Sequence, residues 1–231
     1  MKNPTSDRFW DTPPVILDPR VPARATLFWL HGLGADGNDF VAVAETLART
    51  HPDLRHILPH APRRPLTLDQ GMVTRAWYDI ALEGERWIPN DDDLLVSCAA
   101  VHHLIENEMQ RGIPARNIFI AGFSQGGAVA LTAGTRMPVP LGGILALSTY
   151  LPLSHELARQ SHPSNRALPI FMAHGTQDPL IPWTLGNQSR QFLENAGYPL
   201  TWHSYPMPHS VCEEEIRDMT DWLTLRLSEK P

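Results

Sequence analysis

Asn117-Ile118-Phe119-Ile120-Ala121-Gly122-Phe123-Ser124-Gln125-Gly126-Gly127 is the stretch from which the rest of the chain is read. Asn117 to Ala121 is a short apolar run of strand length, Gly122 to Gly126 is G-x-S-x-G, and Gly127 to Met137 is small and helix-compatible. Strand, sharp turn and helix with a serine at the apex is the layout of a nucleophile elbow. A serine hydroxyl attacks poorly until a base takes its proton, so Ser124 must stand clear of the sheet, where an imidazole and a carbonyl carbon can both reach it. Gly122 and Gly126 leave room for the turn. The helix that follows aims its first N–H groups at the site, which makes the N–H of Gln125 a donor for negative charge on a substrate oxygen. Five-residue matches recur by chance, so the surrounding elements must carry the argument.

Working outward, Val15-Ile16-Leu17 reads as an edge strand flanked by prolines, and Thr26 to Leu30 is a continuous apolar run of strand length. After His31-Gly32-Leu33-Gly34-Ala35-Asp36-Gly37, a helix capped by Asn38 or Asp39 has an apolar face of Phe40, Val41, Val43, Ala44 and Leu47. Arg55 to Pro59 returns as a strand, so the segment is a β-α-β unit and the sheet is parallel. Residues 60–90, rich in proline and arginine, read as loop, with Trp77 to Ile80 the strand-like piece. Asp91 to Gln110 is the clearest helix, with Leu94, Cys98, Val101, Ile105 and Met109 on one face and acids in the first turn. Cys98 on that face is a packed small hydrophobe. Beyond the elbow, Gly143 to Leu147, Leu168 to Ala173 and Thr201 to Tyr205 read as strands. Trp183 to Ala196, ended by Gly197, is a helix, and Val211 to Leu227 is another, begun by a capping box at Ser210 and Glu213. The connection 148–167 is too short for a multi-helix lid.

At 231 residues, with 42% hydrophobic and 19% charged composition, the chain fits one α/β domain, residues 1–231. Its net charge of -6 and lack of a basic block beyond Arg63-Arg64 exclude nucleic acid as a partner. No run approaches bilayer-spanning length, so no stable membrane insertion is expected. The first ten residues lack the apolar core of a signal peptide, so a cytoplasmic location is expected. Cys98 and Cys212 form no C-x-x-C pair and the histidines no H-E-x-x-H, which gives no metal site.

The partners of Ser124 follow by elimination. In this architecture they come in the order serine, acid, histidine, on loops at the carboxyl ends of strands. Between Ser124 and the last histidine the acids are Glu156, Asp178 and Glu194. Glu156 lies in the short connection and Glu194 inside a helix, whereas Asp178 directly follows a strand. Of the histidines beyond it, His203 lies within the final strand and His209 in the loop after it, so the choice is Asp178 and His209. The loop after the early strand should supply a second oxyanion donor, for which the N–H of Leu33 is the candidate, while His31 and His60 read as structural. Leu33, Met72, Tyr150 and Leu180 are candidates to line an acyl pocket.

Gly32-x-Gly34-x-x-Gly37 also matches the dinucleotide fingerprint. In that fold an acid closes the next strand, about 20 residues on. Asp53 precedes the strand instead, and His60 stands at its far end, so no nicotinamide or flavin cofactor is expected.

These residues resemble the bacterial carboxylesterase branch of the family that also contains the acyl-protein thioesterases. The resemblance rests on His31 to Phe40, Pro59-His60-Ala61-Pro62, Trp77 to Ile80, Gly122 to Gly127, Ala146 to Tyr150 and Asp178-Pro179. It implies a single-domain α/β-hydrolase without a large cap, with a mostly parallel sheet, helices on both faces and no cofactor. The substrates it implies are short or medium acyl esters, and some relatives of this kind form homodimers. It also implies Ser124, Asp178 and His209 as the triad, with Leu33 and Gln125 as oxyanion donors. Thioester cleavage, as by a protein depalmitoylase, and lysophospholipase-like activity use the same chemistry, and a non-catalytic small-ligand receptor is the reading from another class. The chain departs from the resemblance at Pro208, where glycine usually precedes the histidine; proline fixes φ and removes an N–H.

Overall fold

A computed structural model describes residues 9–84 and 86–228; residues 1–8, most of the stretch read for a signal peptide, lie outside them. After β1 (Val15–Leu17) come β2 (Ala25–Leu30), α1 (Val41–Thr50) and β3 (Leu54–Leu58), the expected β-α-β unit. Two antiparallel hairpins follow, β4 (Arg63–Leu66) with β5 (Met72–Arg75) and β6 (Ile80–Glu83) with β7 (Arg86–Pro89). Next are α2 (Asp91–Gln110), β8 (Ile118–Phe123), α3 (Gln125–Arg136), β9 (Gly143–Leu147) and the short α4 (Leu157–Gln160). The order closes with β10 (Ile170–Gly175), α5 (Trp183–Asn195), β11 (Leu200–Tyr205) and α6 (Glu213–Ser228).

Seven strands form one sheet in the order β1-β3-β2-β8-β9-β10-β11, parallel throughout except for β1 against β3. The continuous apolar runs are explained by burial on both faces. Along β2, Ala25, Leu27 and Trp29 point to a layer built with Ala44 and Leu47 of α1 and Met219, Trp222 and Leu223 of α6. Phe28 and Leu30 point the other way, to Leu94, Cys98, Val101 and Ile105 of α2, Ala128 and Val129 of α3, and Leu193 of α5. Full burial of each large apolar side chain, such as Leu27, Leu47 or Phe28, contributes about 1.5–3 kcal/mol, and the period of two along the strand serves both layers at once. Among the described residues no helix is long and apolar enough to cross a membrane.

The chain leaves β2 toward β3 on one side and returns to β8 on the other, so the order reverses between β2 and β8, where the register pairs Leu30 with Gly122. Such a switch point opens a crevice at the carboxyl ends of the strands. It sets the loop 31–34 beside Ser124. At the other side, Gly175 pairs with Tyr205, so the loops after β10 and β11 leave the sheet together.

Three local expectations differ from the structure. Residues 63–89 form two hairpins rather than loop, and Trp77-Tyr78-Asp79 connects them instead of forming a strand. β4 carries Arg63, Arg64 and Pro65, so no apolar alternation marks it, and each short strand pairs with its hairpin partner. α1 begins after Phe40, without a side-chain cap, because the Asp36 carboxylate takes the backbone and side-chain N–H groups of Asn38 at 2.8 and 2.9 Å and holds that residue in a turn. α6 begins at Glu213 rather than after Ser210, whose N–H is committed to the Pro208 carbonyl at 2.9 Å. α2 matches its expected bounds, with Asn90 accepting the Asp93 N–H at 3.0 Å as its cap.

Candidate active site

Ser124 occupies the apex of the turn between β8 and α3 with φ 53° and ψ -120°, a region that costs a non-glycine residue about 1–3 kcal/mol. Three hydrogen bonds hold it there. Its N–H donates to the Leu147 carbonyl at 2.9 Å, and its own carbonyl accepts from Thr149 Oγ1 at 2.6 Å and from the Ala128 N–H at 3.2 Å. At about 0.5–1.5 kcal/mol net each, these bonds offset the strain. The flanking glycines are required by contact: a β-carbon at Gly122 would lie 2.3 Å from the Gly126 carbonyl oxygen, and one at Gly126 would lie 2.1 Å from that of Leu30. The elbow is therefore wedged against the end of β2.

Asp178 and His209 are brought together. Asp178 Oδ2 lies 2.6 Å from His209 Nδ1, and Oδ1 accepts the N–H groups of Leu180 and Ile181, both at 2.9 Å. A buried carboxylate with two backbone donors behind it and an imidazole in front is rigidly aimed. The loops are laced by Thr176 N–H to the Tyr205 carbonyl at 2.8 Å and Gln177 N–H to the Met207 carbonyl at 3.1 Å. Gly175 allows this approach, since a β-carbon there would lie 2.3 Å from the Met207 carbonyl oxygen. Pro208 does not prevent the imidazole from meeting the carboxylate. The His209 ring lies 4.6 Å from that of Phe123, the residue before Ser124. Ser124 Oγ and His209 Nε2 are not hydrogen-bonded to each other, and among the described residues neither has another protein partner.

The loop 31–34 packs on the nucleophile, since a β-carbon at Gly32 would lie 3.5 Å from Ser124 Cβ. His31 Nε2 accepts the Ala61 N–H at 3.0 Å, which leaves the proton on Nδ1 to donate to the Gly32 carbonyl at 2.7 Å. Burial pushes the His31 pKa down to about 4, so the ring is neutral near pH 7 and keeps this tautomer. In a trans peptide the N–H opposes the C=O, so the Leu33 N–H points away from His31. Among the described residues the N–H groups of Leu33 and Gln125 have no protein acceptor. The glycines of the dinucleotide-like match are occupied with loop geometry: Gly37 donates to His60 Nδ1 at 3.0 Å and passes close to Leu58.

Of the proposed lining residues, Leu33 is half-buried and Tyr150 bonds the buried Tyr78 through their hydroxyls at 2.9 Å. Burial pushes both tyrosine pKa values up, so these hydroxyls stay neutral. Met72 and Leu180 are 68% and 53% exposed. The rejected acids are engaged elsewhere, Glu156 with Arg159 and Glu194 with Arg190, and His203 pairs with Asp218. Sequence reasoning missed His174, whose Nε2 bonds the Ile181 carbonyl at 2.8 Å and so braces the turn that holds Asp178. Its place four residues before Asp178 was the available signal.

Known proteins show what the chain as a whole is similar to. The phospholipase/carboxylesterase family profile matches residues 12–227. An acyl-protein thioesterase 1 of Neurospora crassa is 41% identical over 225 residues, covering 93% of this chain and 92% of its own. A probable carboxylesterase of Oryza sativa is 34% identical over 206 residues, covering 87% of this chain and 77% of its own. The crystal structure of Zea mays acyl-protein thioesterase 2 superposes with a TM-score of 0.82 at 28% identity, covering 93% of this chain and 98% of that one. These relatives are fungal and plant proteins, so the narrower placement in a bacterial carboxylesterase branch is not supported.

Proposed function

The chain belongs to the phospholipase/carboxylesterase family of serine hydrolases, and from that premise we propose that it cleaves short- to medium-chain carboxylic esters by two-step acyl transfer at Ser124. His209 takes the serine proton as Oγ attacks the ester carbonyl, and Asp178 fixes the imidazole tautomer and steadies the imidazolium that forms. The N–H groups of Leu33 and Gln125 bind the oxyanion, a kind of contact worth about 10²–10³ in turnover for each donor. The imidazolium then protonates the leaving alcohol. Water, deprotonated by the same ring, releases the acid and restores Ser124. The observation that carries this reading is the 2.6 Å bond from Asp178 to His209 Nδ1, which leaves Nε2 as the basic nitrogen on a ring packed beside the elbow. Catalytic hydrogen bonds are often long or poorly aligned before substrate arrives, so a Ser124–His209 bond that forms only with substrate is consistent with this reading.

A second reading is protein thioester cleavage, favoured by the names of the Neurospora crassa and Zea mays relatives. A thioester carbonyl offers the same triad the same electrophile, so chain length and leaving group decide between them. kcat/KM measured on acetyl to palmitoyl aryl esters and on an S-palmitoyl peptide tests the choice. The ester reading expects the highest values at short or medium acyl chains. Higher values on the S-palmitoyl peptide than on every oxoester would replace it with the thioesterase reading.

A further inference from the structure

Residues 75–78 end one hairpin and lead to the next, yet their hydrogen bonds run to both sides of the oxyanion site. The Trp77 N–H donates to Gln125 Oε1 at 2.7 Å, and Gln125 Nε2 donates to the Tyr78 carbonyl at 2.8 Å. On the other side, Trp77 Nε1 donates to the His31 carbonyl at 2.9 Å and the Gly34 N–H donates to the Arg75 carbonyl at 2.9 Å. Ser97 Oγ, from α2, donates to the Trp77 carbonyl. Trp77, Gln125, His31 and Ser97 are all buried, so water does not compete for these bonds.

The two proposed donors lie on different elements, Gln125 at the start of α3 and Leu33 in the loop after β2. The pairing of β2 with β8 brings those elements side by side, and the hydrogen bonds above the sheet fix the spacing that remains. Trp77 is a rigid spacer between them: its backbone N–H donates to the side chain of Gln125, and its indole N–H donates to the His31 carbonyl. From there the His31 ring holds the Gly32 carbonyl at 2.7 Å, which sets the plane of the Gly32–Leu33 peptide. We propose that Trp77 is a positioning residue that sets the spacing and direction of the Leu33 and Gln125 N–H groups, acting through Gln125 Oε1 and the His31 carbonyl. This rests on the acyl-transfer reading above. Preorganised donors act only if they are placed for the oxyanion before it forms, and the indole N–H is the part of this residue that plain core packing would not need.

The test is Trp77→Phe, which keeps an aromatic ring and removes the N–H, assayed on a short aryl ester and on its thiono analogue, in which C=S replaces C=O. Sulfur is larger and a weaker acceptor, so a site placed for oxygen gains little from it. The expected result is a kcat on the oxoester lowered by about 10- to 100-fold with KM within about threefold, and a thionoester rate lowered by about threefold or less. The oxo-to-thiono ratio therefore collapses. Ser97→Ala, a smaller change to the same bridge, should lower the ratio by about 3- to 10-fold, and it decides the matter if Trp77→Phe does not fold. An unchanged ratio in folded protein, whether both rates fall equally or neither falls, overturns the bridge. Ser124→Ala separates the two levels: if it still hydrolyses the oxoester, the acyl-transfer reading fails and the bridge with it, whereas an inactive Ser124→Ala beside an unchanged ratio sinks the bridge alone.

Discussion

Replacing Asp178 by asparagine changes one oxygen to an amide nitrogen at nearly constant shape. Asp178 Oδ1 accepts two backbone N–H groups, from Leu180 and Ile181. In the variant those donors select the amide oxygen for that position, since an NH₂ there would face two N–H groups and leave both unpaired at about 1–3 kcal/mol each. The amide NH₂ must then face His209 Nδ1, now 2.6 Å from Oδ2. An N–H donor at that place requires Nδ1 to be the acceptor, which moves the ring proton to Nε2. The nitrogen meant to take the serine proton is then already protonated, and the imidazolium has lost its countercharge. The expected loss is about 10⁴ in kcat, the scale of a reversed tautomer in such a triad, with folding stability changed by less than about 1.5 kcal/mol because both backbone donors stay satisfied. Steady-state hydrolysis of a short aryl ester, beside a denaturant melt of the same sample, measures both. An asparagine variant within tenfold of wild type refutes the reasoning, because it would mean that the Asp178 carboxylate neither sets the tautomer of His209 nor steadies its charge.

Two further perturbations follow from packing and burial. Gly126→Ala sets a β-carbon 2.1 Å from the Leu30 carbonyl oxygen and 2.6 Å from that of His31, so α3 must shift; about 1–3 kcal/mol of stability should be lost, as in other overpacked sites, together with kcat, and a variant with wild-type melt and activity would show that the elbow is not wedged there. Burial pushes His31 and His56 down to about 4 and Glu215 up to about 8. Below the ordinary imidazole value of 6.5 the unfolded chain binds protons that the native histidines refuse, so stability falls with pH from there toward 4; Glu215 keeps a proton that the unfolded chain releases above 4.5, so its contribution is lost as pH rises toward 8. For these groups stability peaks near pH 6.5, and Glu215→Gln should recover on the order of 2 kcal/mol of the alkaline loss. Melting midpoints across this range check it, and an alkaline slope unaltered in Glu215→Gln contradicts it.

What could be read from the sequence was what burial and local chemistry impose on neighbouring residues. The strands Ala25–Leu30, Ile118–Phe123 and Gly143–Leu147 are legible because both faces of a covered parallel sheet demand apolar side chains. α2 is legible because its face repeats at helical spacing. The β4–β5 hairpin was not, since Arg63, Arg64 and Pro65 carry no apolar alternation and pair as a strand with Val73 to Arg75 opposite them. Helix starts were misplaced where a turn had already taken the capping groups, at Asp36 to Asn38 and at Ser210. In the candidate site, Ser124, Asp178 and His209 could be named because each follows a strand in a constrained order. The bridge that Trp77 makes between Gln125 and His31, and the bracing of the Asp178 turn by His174, depend on contacts made only after the sheet assembles.

The claim that three distant side chains act on one hydroxyl is tested most directly by a fluorophosphonate probe with the modified residue located by mass spectrometry. The account predicts a single covalent adduct on Ser124 of the native protein, formed at a rate that drops sharply in His209→Ala. An adduct elsewhere, no adduct at all, or labelling of Ser124 at an undiminished rate without the imidazole would contradict it.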